Sequence, residues 1–129
     1  MRLLLDTHVA IWAVAQLDLL PEHIFATITK NLSEAFVSSI SILEISAKYQ
    51  LGRKDAPPFG GADAVSYFKA VGFQFLPVSP EHSAAVDNLD PHHKDPFDRL
   101  LVAQAMVEPM HLVSKDAMFS LYDCPLITW

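Results

Sequence analysis

The chain has 129 residues, of which 51% are hydrophobic and 19% charged, and its formal net charge is −6. This length fits one domain, residues 1–129, whose core needs no disulfide or structural metal, and the composition excludes a disordered chain. Because the charge is negative and no run of Lys and Arg occurs, we exclude nonspecific binding of duplex nucleic acid through bulk positive charge.

Short apolar runs bounded by polar or turn-forming residues predict five β-strands. The first run ends directly before Asp6, and the run Ala35–Ser38 forms the second strand. The predicted strands cover residues 2–5, 35–38, 73–78, 111–114 and 126–128.

Helices are predicted between these strands from apolar spacing, proline near helix starts and glycine after helix ends. The first helix is apolar nearly all round, so it is buried on most sides or lies at an interface. The third begins with Ser41-Ile42-Leu43-Glu44, which has the spacing of a capping box. The predicted helices cover residues 7–16, 21–31, 41–50, 62–71, 79–88 and 95–107, with a short helical turn at 116–121.

The alternation of strands and helices predicts an α/β fold with a mostly parallel central sheet and helices on both faces. In such folds, functional sites form beyond the carboxyl ends of the strands. Asp6 and Asp116 follow the first and fourth strands, so both belong at that edge. Glu44 and Asp98 lie in the first turns of two helices. They join the other acids if the histidine-rich loop, residues 90–94, returns to the same edge.

Four carboxylates at one edge cannot all remain ionised without compensation, because like charges a few Å apart repel strongly. A divalent cation such as Mg²⁺ or Mn²⁺ resolves this conflict, since these ions prefer oxygen ligands. Water held by such an ion is acidified and can attack a phosphodiester. The acid pattern therefore predicts metal-assisted hydrolysis of a phosphodiester bond.

Each acid also has an alternative that involves only local helix geometry. Asp6 can cap the helix that starts at Thr7, since aspartate is a favoured cap residue. Glu44 can complete a capping box with Ser41 or form an ion pair with Lys48, four residues later. The other acids share this ambiguity because each lies at the start of a helix or helical turn: Asp95, Asp98 and Asp116.

Four segments of the sequence carry these acids: Leu3–Trp12, Ser38–Ile45, Asp95–Ala105 and Leu112–Phe119. In this order they resemble the motifs of PIN-domain ribonucleases, in particular the VapC-type toxins of type II toxin–antitoxin systems. One such segment would carry little weight alone. Four in order, across essentially the whole chain, form a specific pattern.

The resemblance implies a PIN-like fold, a Mg²⁺ or Mn²⁺ site and endonucleolytic cleavage of single-stranded or structured RNA. It implies that four acids hold the metal and form the catalytic site: Asp6, Glu44, Asp98 and Asp116. Asp95 is either an acid behind these ligands or only a helix cap. Thr7 and Ser114 lie at motif positions where a hydroxyl can orient a carboxylate or a metal-bound water.

The resemblance also implies two protein partners. One is a small antitoxin of the VapB type that blocks the site, and the other is a second copy of the chain in a homodimer. The apolar helix around Val9–Val14 and the aromatic helix around Tyr67–Phe68 offer surfaces for burial. For any single residue among them, a position in the core is the favoured interpretation.

The cysteine content and the hydropathy favour a cytoplasmic protein. The lone cysteine, Cys124, excludes a disulfide framework or a cysteine zinc site. No stretch of about 18 uncharged apolar residues occurs, so no membrane span is expected. Asp6 interrupts the apolar start of the chain where a signal peptide needs to continue.

Several residues near the acids are assigned to ordinary packing or surface positions. His92 and His93 are predicted to lie in a solvated loop, because no helical histidine pair accompanies them. Trp12 and Trp129 are predicted to anchor the core rather than to stack on bases. The role of His8 stays open between packing and substrate contact. Five basic residues are predicted to be surface residues or partners of acids rather than RNA contacts: Lys48, Arg53, Lys54, Arg99 and Lys115.

Two alternatives of other classes compete with a nuclease. A receiver-like signalling module also combines acids with Mg²⁺ on an α/β chain of this length. It needs paired acids after the first strand and an aspartate after the middle one, whereas this chain has only Asp6 and then Ser79. The second alternative is a PIN-like scaffold that binds a partner without catalysis, against which the intact acid set argues.

Overall fold

Five short strands form one sheet in the computed structural model, which describes all residues, 1–129. The strands are β1 (Leu3–Leu5), β2 (Ala35–Ser38), β3 (Gln74–Leu76), β4 (His111–Val113) and β5 (Leu126–Ile127). The helices are α1 (Thr7–Ala15), α2 (Glu22–Lys30), α3 (Ser39–Leu51), α4 (Gly61–Val71), α5 (Pro80–Ala85) and α6 (Pro96–Val107). Short 3₁₀ turns occur at Leu17–Leu19, Leu32–Glu34, Val86–Asn88 and Ala117–Leu121.

The strand order is β3-β2-β1-β4-β5, and every neighbouring pair is parallel. The chain adds strands outward from β1 to β3 and then returns to place β4 on the other side of β1. The order therefore reverses between β1 and β4, which is where α/β sheets open a crevice for ligands. Leu5 pairs in register with Val113, so the residues after β1 and β4 leave the sheet side by side.

Alternate residues of β1 face two separate hydrophobic cores, as a central strand covered on both faces requires. Leu3 and Leu5 pack against residues of α1, α2 and α4, while Leu4 packs against α6 and the 117–121 turn. The prediction of helices on both faces is confirmed. No helix in the structure has the length and apolar character needed to cross a membrane.

The apolar helix α1 is explained by the core of its own chain. Val9, Ala10, Ile11 and Ala13 are all buried in the first hydrophobic core. Trp12 and Trp129 pack against this core and against each other, with ring centroids 6.1 Å apart. The buried residues of α1 therefore follow the predicted core interpretation, while Trp12 and Trp129 are only partly buried.

The predicted elements are present, and their ends differ by a few residues for local reasons. Helix α3 starts two residues earlier than predicted, because the Ser38 hydroxyl accepts the Ile40 backbone N–H and caps it there. Strand β3 stops before Pro77, which has no N–H for a sheet hydrogen bond. The predicted helix 79–88 divides into α5 and a 3₁₀ turn.

Gly72 ends α4 in a left-handed conformation with φ +107°, which a side chain disfavours. We expect Gly72→Ala to lower the free energy of unfolding by about 1–2 kcal/mol, and Gly72→Asn to lower it less, since asparagine tolerates this region better. Urea denaturation measures both. Equal stability of Gly72→Ala and the wild type would contradict this backbone conformation.

Candidate active site

Carboxylates from three elements meet around Asp98, on the first turn of α6. The pKa of Asp98 is raised to about 7. Burial is the main cause, and the charges of Asp95, Asp6 and Glu44 add to it, while His93 opposes it. The charges of Asp6 and Glu44 both contribute to the raised pKa of Asp98, so the three carboxylates lie near one another.

Asp6 is only 7% exposed and directs its carboxylate into the site rather than along its own helix. It occupies the N-cap position of α1 but makes no side-chain capping hydrogen bond. Instead, the hydroxyl of Ser114, which directly follows β4, donates to Asp6 Oδ2 at 2.7 Å. Burial raises the pKa of Asp6, and the Ser114 hydrogen bond partly opposes this effect. The capping alternative for the Asp6 side chain is therefore wrong.

Glu44 is 4% exposed and lies on the face of α3 that points at α1. The Thr7 hydroxyl donates to Glu44 Oε1 at 2.7 Å, and Lys48 forms a salt bridge with Oε2. The capping box with Ser41 does not form, because α3 begins before it and Ser41 lies 2.8 Å from the Thr7 hydroxyl. Burial alone would lower the pKa of Lys48, but the hydrogen bond with Glu44 and the charges of Glu44, Asp95 and Asp98 together outweigh it and raise that pKa.

Asp116 caps the 117–121 turn and still belongs to the site. Its Oδ1 accepts the Met118 backbone N–H at 3.0 Å, and its Oδ2 lies 2.9 Å from His93 Nε2. One potential ligand atom from each of His93, Asp98 and Asp116 lies within 4.8 Å of the others. Partial burial opposes ionisation of Asp116, but the hydrogen bonds from His93 and Met118 prevail and lower its pKa.

Ser114 connects the acids of β1 and β4. Its hydroxyl donates to Asp6, and the same oxygen accepts the Asp116 backbone N–H at 3.0 Å. Asp95 caps α6 by accepting the Phe97 N–H at 2.8 Å, while its charge also raises the pKa of Asp98. Asp95 and Asp116 therefore cap a helix or turn, as the local alternative predicts, and they also lie close to the other acids.

His93 is the site residue that the sequence interpretation missed. It was predicted in a solvated loop, but it is only 8% exposed and lies between the rings of Phe119 and Tyr122, at centroid distances of 4.6 and 5.5 Å. The Tyr122 hydroxyl accepts the His93 backbone N–H at 2.9 Å and lies 3.0 Å from Nδ1. When this hydroxyl donates to Nδ1, Nε2 carries the hydrogen and donates to Asp116. His93 can be recognised as a site residue only from its contacts in the folded chain, which are with residues more than 20 positions later.

Arg99 holds the loop that carries His93. Its guanidinium donates to four backbone carbonyl oxygens, at distances of 3.2–3.4 Å: those of Val86, Leu89, Asp90 and His93. Arg99 is therefore neither a free surface residue nor a partner of an acid. It fixes the histidine-rich loop against the start of α6, while the contact of His93 with Asp116 joins this loop to the segment that follows β4.

The donor set fits a hard divalent cation. Asp6, Glu44, Asp98 and Asp116 offer carboxylate oxygens, which Mg²⁺ and Mn²⁺ prefer. Part of the rise in the pKa of Asp98 comes from the charges of Asp95, Asp6 and Glu44, which repel its ionised form. Two added positive charges would relieve this repulsion.

Comparisons with known proteins agree on one fold. The sequence model of the PIN domain family matches residues 3–123. The DNA-bound VapBC structure from Salmonella typhimurium has a TM-score of 0.71 at 17% identity, covering 100% of this chain and 98% of the other. VapBC2 from Rickettsia felis, bound to a promoter DNA fragment, has a TM-score of 0.73 at 16% identity, covering 100% and 99%.

FitAcB from Neisseria gonorrhoeae is similar as well, with a TM-score of 0.64 at 17% identity, covering 98% of this chain and 96% of the other. At such identities, the structural likeness demonstrates the shared fold alone. No curated protein sequence matches the chain.

The raised pKa of Asp98 makes the stability of the metal-free protein depend on pH. Between the unfolded value of 3.8 and about 7, the folded chain binds a proton at Asp98 that the unfolded chain releases. The free energy of unfolding therefore falls as pH rises through this range. Urea denaturation in EDTA between pH 5 and pH 8 measures the slope. We expect a shallower slope for Asp98→Asn, and equal slopes would contradict the raised pKa.

The contacts of His93 predict a separate effect on Asp116. In His93→Phe the aromatic packing is largely kept, but Tyr122 and Asp116 lose a hydrogen-bond partner. We expect a loss of about 1–3 kcal/mol in stability and a higher pKa of Asp116. Denaturation and NMR titration of the Asp116 carboxyl carbon measure these changes. An unchanged Asp116 titration would show that the two side chains are not paired in solution.

Proposed function

The chain belongs to the PIN domain family, and on this premise we propose that it is a metal-dependent endoribonuclease, the toxin of a toxin–antitoxin pair. The observation that carries the proposal is the convergence of Asp6 and Glu44 on the half-buried Asp98, with Asp116 beside it. Such a concentration of negative charge is unfavourable for a purely structural purpose. It is suited to a divalent cation and, through it, to a phosphodiester.

In this proposal, each residue of the site binds or orients. Asp6, Glu44, Asp98 and Asp116 hold Mg²⁺ or Mn²⁺, which when bound supplies an acidified water and offsets charge on the phosphodiester. Ser114 orients the Asp6 carboxylate, and Thr7 orients that of Glu44, through the hydrogen bonds described above. Asp95 remains behind them as the cap of α6.

The partners follow from the same premise. The solved neighbours include VapBC and FitAcB structures, and this supports a small VapB-type antitoxin as the partner that blocks the site. We also propose that the 129 residues form one PIN-like domain, that two copies associate as a homodimer, and that the protein acts in the cytoplasm. Exposed apolar side chains on α3 and α4, including Tyr49, Leu51 and Tyr67, offer surface for such contacts.

The topology argues against the receiver-like alternative. Receiver domains have the strand order 2-1-3-4-5, whereas this sheet has the order 3-2-1-4-5. No aspartate follows β3, where a phosphate acceptor would be needed. A PIN-like scaffold without catalysis is the alternative that the following experiment separates from a nuclease.

The test is cleavage of a mixed RNA pool by the purified chain, freed of any small bound protein, with Mg²⁺, with Mn²⁺ or with EDTA. We expect discrete products only with metal. Asp6→Asn and Asp98→Asn should each lower the rate by about a hundredfold or more, because each removes a charged metal ligand. Asp63→Asn, an exposed acid on α4, is the matched control and should keep the wild-type rate.

Two results would overturn the proposal. One is cleavage that persists in EDTA or in both site variants. The other is a folded wild-type chain that binds RNA equally with and without metal and forms no product, which would favour the scaffold.

A further inference from the structure

A cavity of about 400 Å³ opens directly beside the acids, between α1, α3 and the loop of residues 54–58. It shares Thr7 and Glu44 with the acid site, and its other walls include His8, Trp12 and Lys54. This volume lies within the range of sites that hold small molecules or single groups of larger ligands. Most of its lining is polar, so it is unlike a groove for an apolar peptide.

His8 and Trp12 form an aromatic pair at the mouth of this cavity. They lie one turn apart on α1, two and six residues after Asp6, with ring centroids 5.9 Å apart and an interplanar angle of 45°. His8 is exposed, while Trp12 is half-buried and held from behind by the edge of Trp129. The core-anchor interpretation of Trp12 is therefore incomplete, because part of its surface remains open beside the acids.

The same pair borders a second, open depression of about 330 Å³ on its other side. Asp6, Asp116 and Lys115 complete this depression. The aromatic pair thus lies between two hollows, and each hollow has site carboxylates in its wall. A single nucleic-acid strand that crosses the acids from one hollow to the other would pass over His8 and Trp12.

Three lysines line these hollows, and two of them provide positive charge that no acid in the structure pairs with. Lys48 is paired with Glu44, and Asp55 also lines the first hollow. Lys54 lines the first hollow and Lys115 the second, and both are exposed. Neither forms a salt bridge in the structure. Unpaired ammonium groups on both sides of an aromatic pair are suited to the phosphates of a single strand, whose bases stack on aromatic rings.

We propose that His8 and Trp12 form a stacking site for a base of single-stranded RNA next to the phosphodiester to be cut, with Lys54 and Lys115 contacting the flanking phosphates. This inference rests on the proposed ribonuclease function and adds how the substrate strand is held. Stacking needs no hydrogen bond to a base edge, so the site accepts any of the four bases.

Tryptophan fluorescence tests the stacking directly, because the chain contains only Trp12 and Trp129. The measurements use Asp98→Asn with Mn²⁺, so that a short single-stranded RNA is bound without being cut. With Trp129→Phe added, we expect RNA to quench the remaining Trp12. With Trp12→Phe instead, the remaining Trp129 should be quenched much less. Equal quenching of the two, or none, would overturn the proposal.

Affinity measurements on the same background identify the contacts. His8→Ala should weaken RNA binding by about fivefold or more, and His8→Phe should restore it. His23→Ala, an exposed histidine on α2, is the matched control. The logarithm of the RNA association constant falls linearly with the logarithm of the salt concentration. Lys54→Ala and Lys115→Ala should each make this slope about 0.7 less steep, whereas Lys30→Ala, at an exposed lysine on α2, should leave it unchanged.

The kinetics of the cleaving enzyme separate this inference from the proposed function. In a chain with an intact acid set, His8→Ala should raise KM and change kcat little. RNA that is cut with an unchanged KM in His8→Ala would overturn the stacking site and leave the nuclease standing. RNA that quenches Trp12 but is never cut would overturn the nuclease and leave the stacking site standing. An effect of His8→Ala on a protein partner alone, with RNA affinity unchanged, would also overturn the stacking site.

Discussion

Mutual repulsion among carboxylates is the constraint around which this structure is arranged. Asp6 and Glu44 are almost fully buried, and both act on the half-buried Asp98. In a medium of low dielectric, such charges are tolerated only where donors or cations compensate them. The neighbouring side chains supply this compensation: the Ser114 and Thr7 hydroxyls, the Lys48 ammonium and the His93 imidazole. Burial of Asp98, together with the repulsion that these groups leave uncompensated, raises its pKa to about 7.

The sheet topology determines where this charge collects. The strand order reverses between β1 and β4, and such a reversal is where α/β sheets open a crevice for ligands. Ser114 bridges that crevice by contacting both Asp6 and Asp116. Arg99 fixes the loop before α6 by binding its carbonyl oxygens, and His93 in this loop contacts Asp116. The site is thus formed by the carboxyl ends of the strands and by the loop before α6.

Local and functional interpretations of an acid are not exclusive in this molecule. Asp95 and Asp116 each cap a helix or turn, yet both still act on the site. A carboxylate has two oxygens and several lone pairs, so one oxygen can accept a backbone N–H while the other faces a neighbour. Asp6 differs, because Ser114 rather than the start of α1 engages its side chain.

The sequence by itself determined the class of fold and the order of the elements, and it predicted the acids of the candidate site. Apolar runs and helix-end residues are local properties, and the position of an acid directly after a strand places it at one edge whatever the other contacts are. Only the tertiary structure decided that His93 is buried against Asp116, that Asp6 does not cap its helix and that Arg99 binds carbonyl groups. The first two outcomes depend on contacts between residues far apart in the chain, such as Asp6 with Ser114, which no local pattern encodes. The contacts of Arg99 span only 6 to 13 residues, but they depend on the path of an irregular loop, which has no periodic pattern.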